Sequence, residues 1–196
     1  MMWKRLLLSA AAAVAVLSGT TLGFAAGASS AASRTPAAGA SASRNANPTQ
    51  YRLDLYELHT GERLNIVYRI GNHYVPGAIA RLDYLLRDYR TGSIKAYDLR
   101  EFDLLHDLMV RLDRPDGEID IVCGYRTPQT NHWLRVHTSG VAEHSQHMLA
   151  KAIDIRVPGV PTAEVRNVAL SLHRGGVGYY PRSNFVHVDV GPVRHW

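Results

Sequence analysis

The 196-residue sequence contains a single cysteine. One thiol excludes an internal disulfide framework and any Cys-rich zinc module. No cysteine follows the apolar run near the N-terminus, which excludes a lipoprotein. That run, Leu6 to Leu17, is short of the roughly 20 residues a membrane span needs. Only Lys4-Arg5 precedes it, so the adjacent arginines of a twin-arginine signal are missing. There is no internal repeat and no long block of one charge. The 22 basic and 17 acidic side chains are scattered, so the net charge of +5 is a weak sign of a polyanionic partner. Nucleic acid is not an expected partner, because proteins that bind it concentrate their basic residues.

What is present suits one globular domain. The apolar fraction of 46% argues against full disorder. Lys4 and Arg5, the apolar run, and the small residues around Gly23-Phe24-Ala25 and Ala26-Gly27-Ala28 follow the order of a secretory signal peptide. Residues 1–28 are therefore expected to direct export. Left uncleaved they would be a tether; once they are removed, no stable membrane span remains. Cleavage near residue 28 removes Lys4 and Arg5, leaving 20 basic against 17 acidic side chains, or +3. Residues 29–50 are rich in Ala, Ser, Gly and Asn and read as a flexible linker. The folded domain is expected over 51–196.

Within it, Arg52 to His59 and Leu64 to Ile70 alternate around the Thr60-Gly61 turn signal and predict a hairpin. Pro76 opens a helix with Ile79, Leu82, Leu85 and Leu86 at helical spacing. A second helix runs from an Asp98 N-cap to Leu112. Arg114-Pro115-Asp116-Gly117 is a turn. Glu118 to Tyr125 is a strand, with Cys123 expected as a small buried side chain on the face of Ile119 and Ile121. Residues 127–137 look helical. Ala150 to Val157 is a strand, Pro161 and Thr162 introduce a helix to Leu172, and Gly176 to Tyr180 and Phe185 to Val190 are the last strands. The expected class is α+β: a single domain with a central antiparallel sheet flanked by helices.

Ten histidines draw attention to imidazole chemistry. In the last strand Phe185, His187 and Asp189 share the face opposite the valines. Asp154 likewise lies opposite Ile153 and Ile155, and His147 lies in the loop entering that strand. Two imidazoles and one carboxylate are a ligand set that zinc hydrolases use, with water in the fourth position. A local hydrogen-bonded His–Asp pair on a strand is the competing explanation.

The stretch Ser145-Gln146-His147-Met148-Leu149-Ala150-Lys151-Ala152-Ile153-Asp154 resembles the Ser-x-His-x-x-Gly-x-Ala-x-Asp signature of the zinc D-alanyl-D-alanine metallopeptidase superfamily. Gly124-Tyr125-Arg126-Thr127 resembles its Gly-Tyr-Arg-Thr/Ser element, and Phe185-Val186-His187-Val188-Asp189 its last metal-ligand strand. The ending Gly191-Pro192-Val193-Arg194-His195-Trp196 is similar to the murein endopeptidase K branch. Together the motifs cover most of residues 51–196. The resemblance implies one Zn2+ held by His147, Asp154 and His187, and Arg126 as the arginine that polarises the substrate and binds it. It implies a hydrolase acting on peptidoglycan stem peptides or cross-links; the secretory signal, without a lipoprotein cysteine, points to the periplasm. Ser145 can orient substrate or His147, or simply shape a turn. Tyr125, Tyr179, Tyr180 and Trp196 either line a groove or pack in the core, with Tyr125 the first candidate for substrate contact.

Two departures stand out. Ala150 occupies the signature glycine, which is tolerable if its φ is negative. Asn184 stands three residues before the last ligand, where several relatives carry a carboxylate base. Asp189 is then the first candidate for the general base, with support of a ligand histidine as its rival role, and His144 follows. A cell-wall binding module that keeps the metal without catalysis is the alternative function.

Overall fold

The computed structural model describes residues 48–196; the expected signal peptide and nearly all of the expected linker lie outside the described residues. The hairpin forms as expected from β1 (Gln50–Glu57) and β2 (Arg63–Ile70). A short β3 (His73–Tyr74) extends it. Pro76 occupies the first turn of α1 (Pro76–Leu85), where its missing N–H costs nothing. Asp98 caps α2 (Leu99–Arg111), its carboxylate accepting from the Arg100 N–H at 3.2 Å. The strand β4 (Glu118–Cys123) leads to α3 (Pro128–His137), capped by Thr127. A one-turn 3-10 segment, Gln146–Leu149, enters β5 (Ala152–Arg156). Then come α4 (Thr162–Leu172), β6 (Gly176–Tyr180), β7 (Phe185–Asp189) and a short β8 (Arg194–His195).

Among the described residues these eight strands form one sheet in the order β3-β2-β1-β4-β5-β7-β6-β8. Most neighbours are antiparallel, as expected, but β1·β4 and β6·β8 are parallel. The first parallel pair arises because α1 and α2 carry the chain back over the sheet before β4. One sheet face packs on α1, α2 and α4 and holds the core, including Leu55, Phe102, Leu105, Ile121, Ile155 and Val186. Tyr68 is fully buried, yet its hydroxyl donates to Asp103 at 2.8 Å, so no polar atom there is stranded. No helix of the described residues is long and apolar enough to cross a membrane.

One strand differs from its sequence expectation in a way that shapes the site. Residues Ile119 and Ile121 face the core, but the β4–β5 register slips between Ile121 and Cys123. Ile121 pairs with Ile155, whereas Cys123 pairs with Asp154. Val122 is therefore the extra residue of a bulge, and Cys123 turns to the opposite face. The expectation that Cys123 is a buried core side chain is corrected: it is partly exposed and lines a cleft.

Candidate active site and metal centre

The row of paired residues Cys123–Asp154–His187–Gly178 crosses β4, β5, β7 and β6 on the sheet face away from the core. Directly paired residues project to the same side. The loop before β5 drops His147 onto this row. Ser145 helps set that loop: its hydroxyl caps the 3-10 turn and accepts from the His147 N–H at 3.3 Å. The turn ends on Ala150, whose φ is +52°. The condition of a negative φ is not met. Ala150 adopts the left-handed conformation with its methyl buried, at a strain of about 1–2 kcal/mol. The surrounding bonds hold it there: its N–H donates to the His147 carbonyl and its carbonyl accepts from Asp98 N–H.

Three donor atoms converge. His147 Nε2 lies 3.1 Å from His187 Nδ1 and 3.3 Å from Asp154 Oδ1, and His187 Nδ1 lies 2.9 Å from Asp154 Oδ1. Tetrahedral donors 2.0–2.1 Å from zinc stand about 3.3 Å apart, so this triangle fits such an ion. All three residues are buried. Cys123 Sγ also lies within 4.8 Å of donors on His147 and Asp154. Burial pushes its thiol up to about 12, so without a metal the thiol is protonated.

The backbone and a second carboxylate fix both imidazoles. His147 Nδ1 donates to the Gly124 carbonyl at 2.8 Å, so Nε2 presents its lone pair to the cluster. Burial lowers the His147 pKa, favouring the neutral ring. His187 Nε2 donates to Asp189 Oδ2 at 3.0 Å, leaving Nδ1 for the cluster. Burial alone would lower His187, but hydrogen bonds to Asp154 and Asp189 outweigh it and raise the pKa. Burial likewise opposes ionisation of Asp154, yet the two histidines hold its carboxyl well below the usual range.

Arg126 follows β4 and reaches the same cleft, its Nη2 4.0 Å from Asp154 Oδ2. Its Nε is buried and has no hydrogen-bond partner among the described residues. Asp189 is fully buried and its oxygens are occupied. Arg194 donates to both of them at 3.0 and 2.7 Å, and the Gly176 and Gly191 N–H groups donate to Oδ1. Although burial opposes it, these donors and His187 hold the carboxyl well below the usual range. Asn184 sits in a turn with φ +53°, its side-chain oxygen accepting from the Thr162 hydroxyl, away from the donor triangle. His144 is exposed and does not line the cleft.

The cleft encloses about 400 Å³. On one side Trp196 lies across Gly178, where a Cβ would come within 2.7 Å of the indole, and donates from Nε1 to the Tyr180 hydroxyl. The indole thereby reaches His187, ring centroids 5.2 Å apart. Tyr180 and Trp196 thus line the cleft, whereas Tyr125 and Tyr179 pack against the core. The opposite side carries His59, Tyr89 and Arg90, together with the 138–142 loop. No spacing signal marks them; only the packing of the Asp88 turn against Thr127 brings them here.

An α+β sheet carrying a buried two-histidine, one-carboxylate cluster is what the resemblance to the D-alanyl-D-alanine metallopeptidase superfamily implies. Comparison with known proteins narrows this. A family profile described as peptidoglycan L,D-endopeptidase MepK matches residues 45–196. A probable peptidoglycan L,D-endopeptidase MepK of Haemophilus influenzae is 43% identical over 144 residues, 74% of this chain and 77% of that protein. The peptidoglycan L,D-endopeptidase MepK of Escherichia coli K12 is 42% identical over 144 residues, 74% of this chain and 79% of the relative. No solved structure matches. The chain belongs to the MepK family of peptidases.

Proposed function

We propose that this protein is an exported, zinc-dependent peptidoglycan endopeptidase that cleaves L,D-amide bonds in murein cross-links. The observation that carries the metal reading is the triangle of His147, Asp154 and His187 donors, with both imidazoles held in the tautomer a ligand needs. The substrate class rests on the relatives, which are named for this activity and are matched over 77% and 79% of their length.

A zinc ion held by these three residues would supply a Lewis acid and an acidified water. The chain's own residues do the rest. Arg126 presents guanidinium N–H groups to the scissile carbonyl and stabilises the negative charge that develops on its oxygen. Ser145 fixes the backbone of His147. Asp189 acts as a positioning residue for His187; its buried, five-fold hydrogen-bonded carboxylate is poorly suited to accept a proton from water. The Trp196 and Tyr180 side chains form a wall against which an extended peptide can lie. The signal peptide over 1–28 delivers the enzyme to the periplasm, where this substrate is found.

The test is incubation of the purified protein with cross-linked sacculi, followed by muropeptide analysis with and without a chelator. The expected result is loss of cross-linked species, with product masses marking the L,D bond, arrest by chelator and recovery with zinc. Zinc content should fall below one tenth of an equivalent in His147→Ala and His187→Ala. Sacculi of several types left unchanged by the zinc-loaded protein would overturn the enzymatic reading, and undiminished zinc in both variants would overturn the ligand assignment.

A further inference from the structure

The cleft is electrostatically lopsided. Among the described residues Asp154 is the only acidic one lining it, and it is engaged by His147, His187 and Arg126. Two arginines line it, Arg126 beside the donor triangle and Arg90 in the wall formed with His59 and Tyr89. Arg90 makes no ion pair with any carboxylate among the described residues. Its guanidinium instead lies over two aromatic faces, 4.3 Å from the Tyr89 ring centroid and 5.8 Å from that of Trp133. An exposed guanidinium supported by rings keeps its edge donors available for an incoming anion.

The support is built in depth. The buried Glu57 carboxylate holds His59 at Nδ1, 3.0 Å away, and accepts its backbone N–H at 2.8 Å. The His59 ring stacks on Tyr89 with centroids 3.9 Å apart and planes 13° from parallel. Tyr89 in turn carries Arg90. A second buried carboxylate, Asp88, ties together the backbone segments that carry the two arginines. Its Oδ1 accepts from the Arg90 N–H at 3.0 Å, and its Oδ2 from the N–H and hydroxyl of Thr127, the residue after Arg126, at 2.8 and 2.9 Å. Such bracing lowers the ordering cost of binding.

We propose that Arg90 is a specificity-determining residue that binds a free carboxylate of the peptide substrate while Arg126 engages the scissile amide. The inference rests on the peptide-hydrolase reading of the cleft and goes beyond it by stating which substrates are preferred: stem peptides whose carboxyl groups are free over those in which they are amidated. Charge complementarity favours this occupant, since among the described residues the cleft offers an arginine without an ion-pair partner and no second carboxylate lining it to compete for it.

The experiment compares two cross-linked peptides that differ only in carrying carboxylates or carboxamides. Equilibrium binding is measured on the full chain arrested with chelator, and KM and kcat on the zinc-loaded protein. The wild type is expected to bind the carboxylate peptide about tenfold or more tightly, the scale of one charge-assisted hydrogen-bonded pair. Arg90→Gln should erase that preference by weakening only the carboxylate peptide, raising its KM with kcat little changed; Arg90→Lys should keep part of it. A thermal melt of Arg90→Gln coincident with that of the wild type controls for folding. Equal binding of both peptides by the wild type, or full preference retained in Arg90→Gln, overturns the proposal. Cleavage without preference defeats this inference and leaves the proposed function standing, whereas preference without cleavage of either peptide or of sacculi does the reverse.

Discussion

Asp189 shows how one side chain's surroundings decide between chemical roles. From the sequence it was both a candidate base and a candidate support for His187, since the two roles require the same strand face. The structure surrounds its oxygens with Arg194, His187 and two backbone N–H groups, the setting of an ionised, structurally committed carboxylate. Asp189→Asn should therefore weaken zinc binding about 10- to 100-fold, measured by competition with a chelator. A base would give the opposite pattern, intact zinc affinity with turnover lower by about 10²–10⁴. Other residues were legible to different degrees. Arg126, Ser145, His147, Asp154 and His187 converge on the cleft as the motifs imply, because a motif is a fixed local geometry written in sequence. Tyr125 does not line the cleft, since alternation alone cannot tell which side a residue beyond a strand end will take. Ala150 shows a positive φ that its residue type gives no hint of.

At the scale of elements, β4 contributes most to the site through two departures from regularity. Its bulge at Val122 swings Cys123 to the cleft, and the glycine that follows brings its carbonyl to His147. Gly124 has no room for a side chain: a Cβ would stand 2.5 Å from the Leu86 carbonyl oxygen, which itself accepts from the Tyr125 N–H. Gly124→Ala should cost about 1–3 kcal/mol in denaturant unfolding and weaken zinc binding as the Gly124 carbonyl shifts. The α2 helix holds a different tension. Glu101 is fully buried, and its carboxyl oxygens find no hydrogen-bond partner. Burial, assisted by the nearby charges of Asp189 and Asp98, raises its pKa well above the usual carboxylate value. The unfolded chain releases this proton near pH 4.5 while the folded protein retains it, so the group's contribution to stability falls as pH rises from there. Glu101→Gln should thus melt higher than wild type at pH 7 to 8, with the difference shrinking toward pH 4. A gap that widens on acidification would contradict the sign.

For the whole molecule, the domain limits matter to stability. The sequence places the folded part from Tyr51, but β1 begins at Gln50, which pairs with Ile70, and the Thr49 carbonyl accepts from Gly71 at 2.8 Å. Residues 45–196, the span of the family profile, should melt higher than 51–196 by an increment worth about 1 kcal/mol, the scale of a hydrogen bond and an end pair. The hairpin, the Asp98-capped helix and the α+β class are readable from the sequence. Turn residues, caps and alternation act over a few neighbours, so the sequence carries them directly. The order of strands, with β1 beside β4 and β7 between β5 and β6, depends on which faces can be buried together, and no local pattern contains it. The sequence by itself determined the donor types, the motifs and the family. The tertiary structure alone decided that His59, Tyr89 and Arg90 would face Trp196 across one cleft, because contacts between residues far apart in the chain exist only once the sheet has brought their strands and loops together.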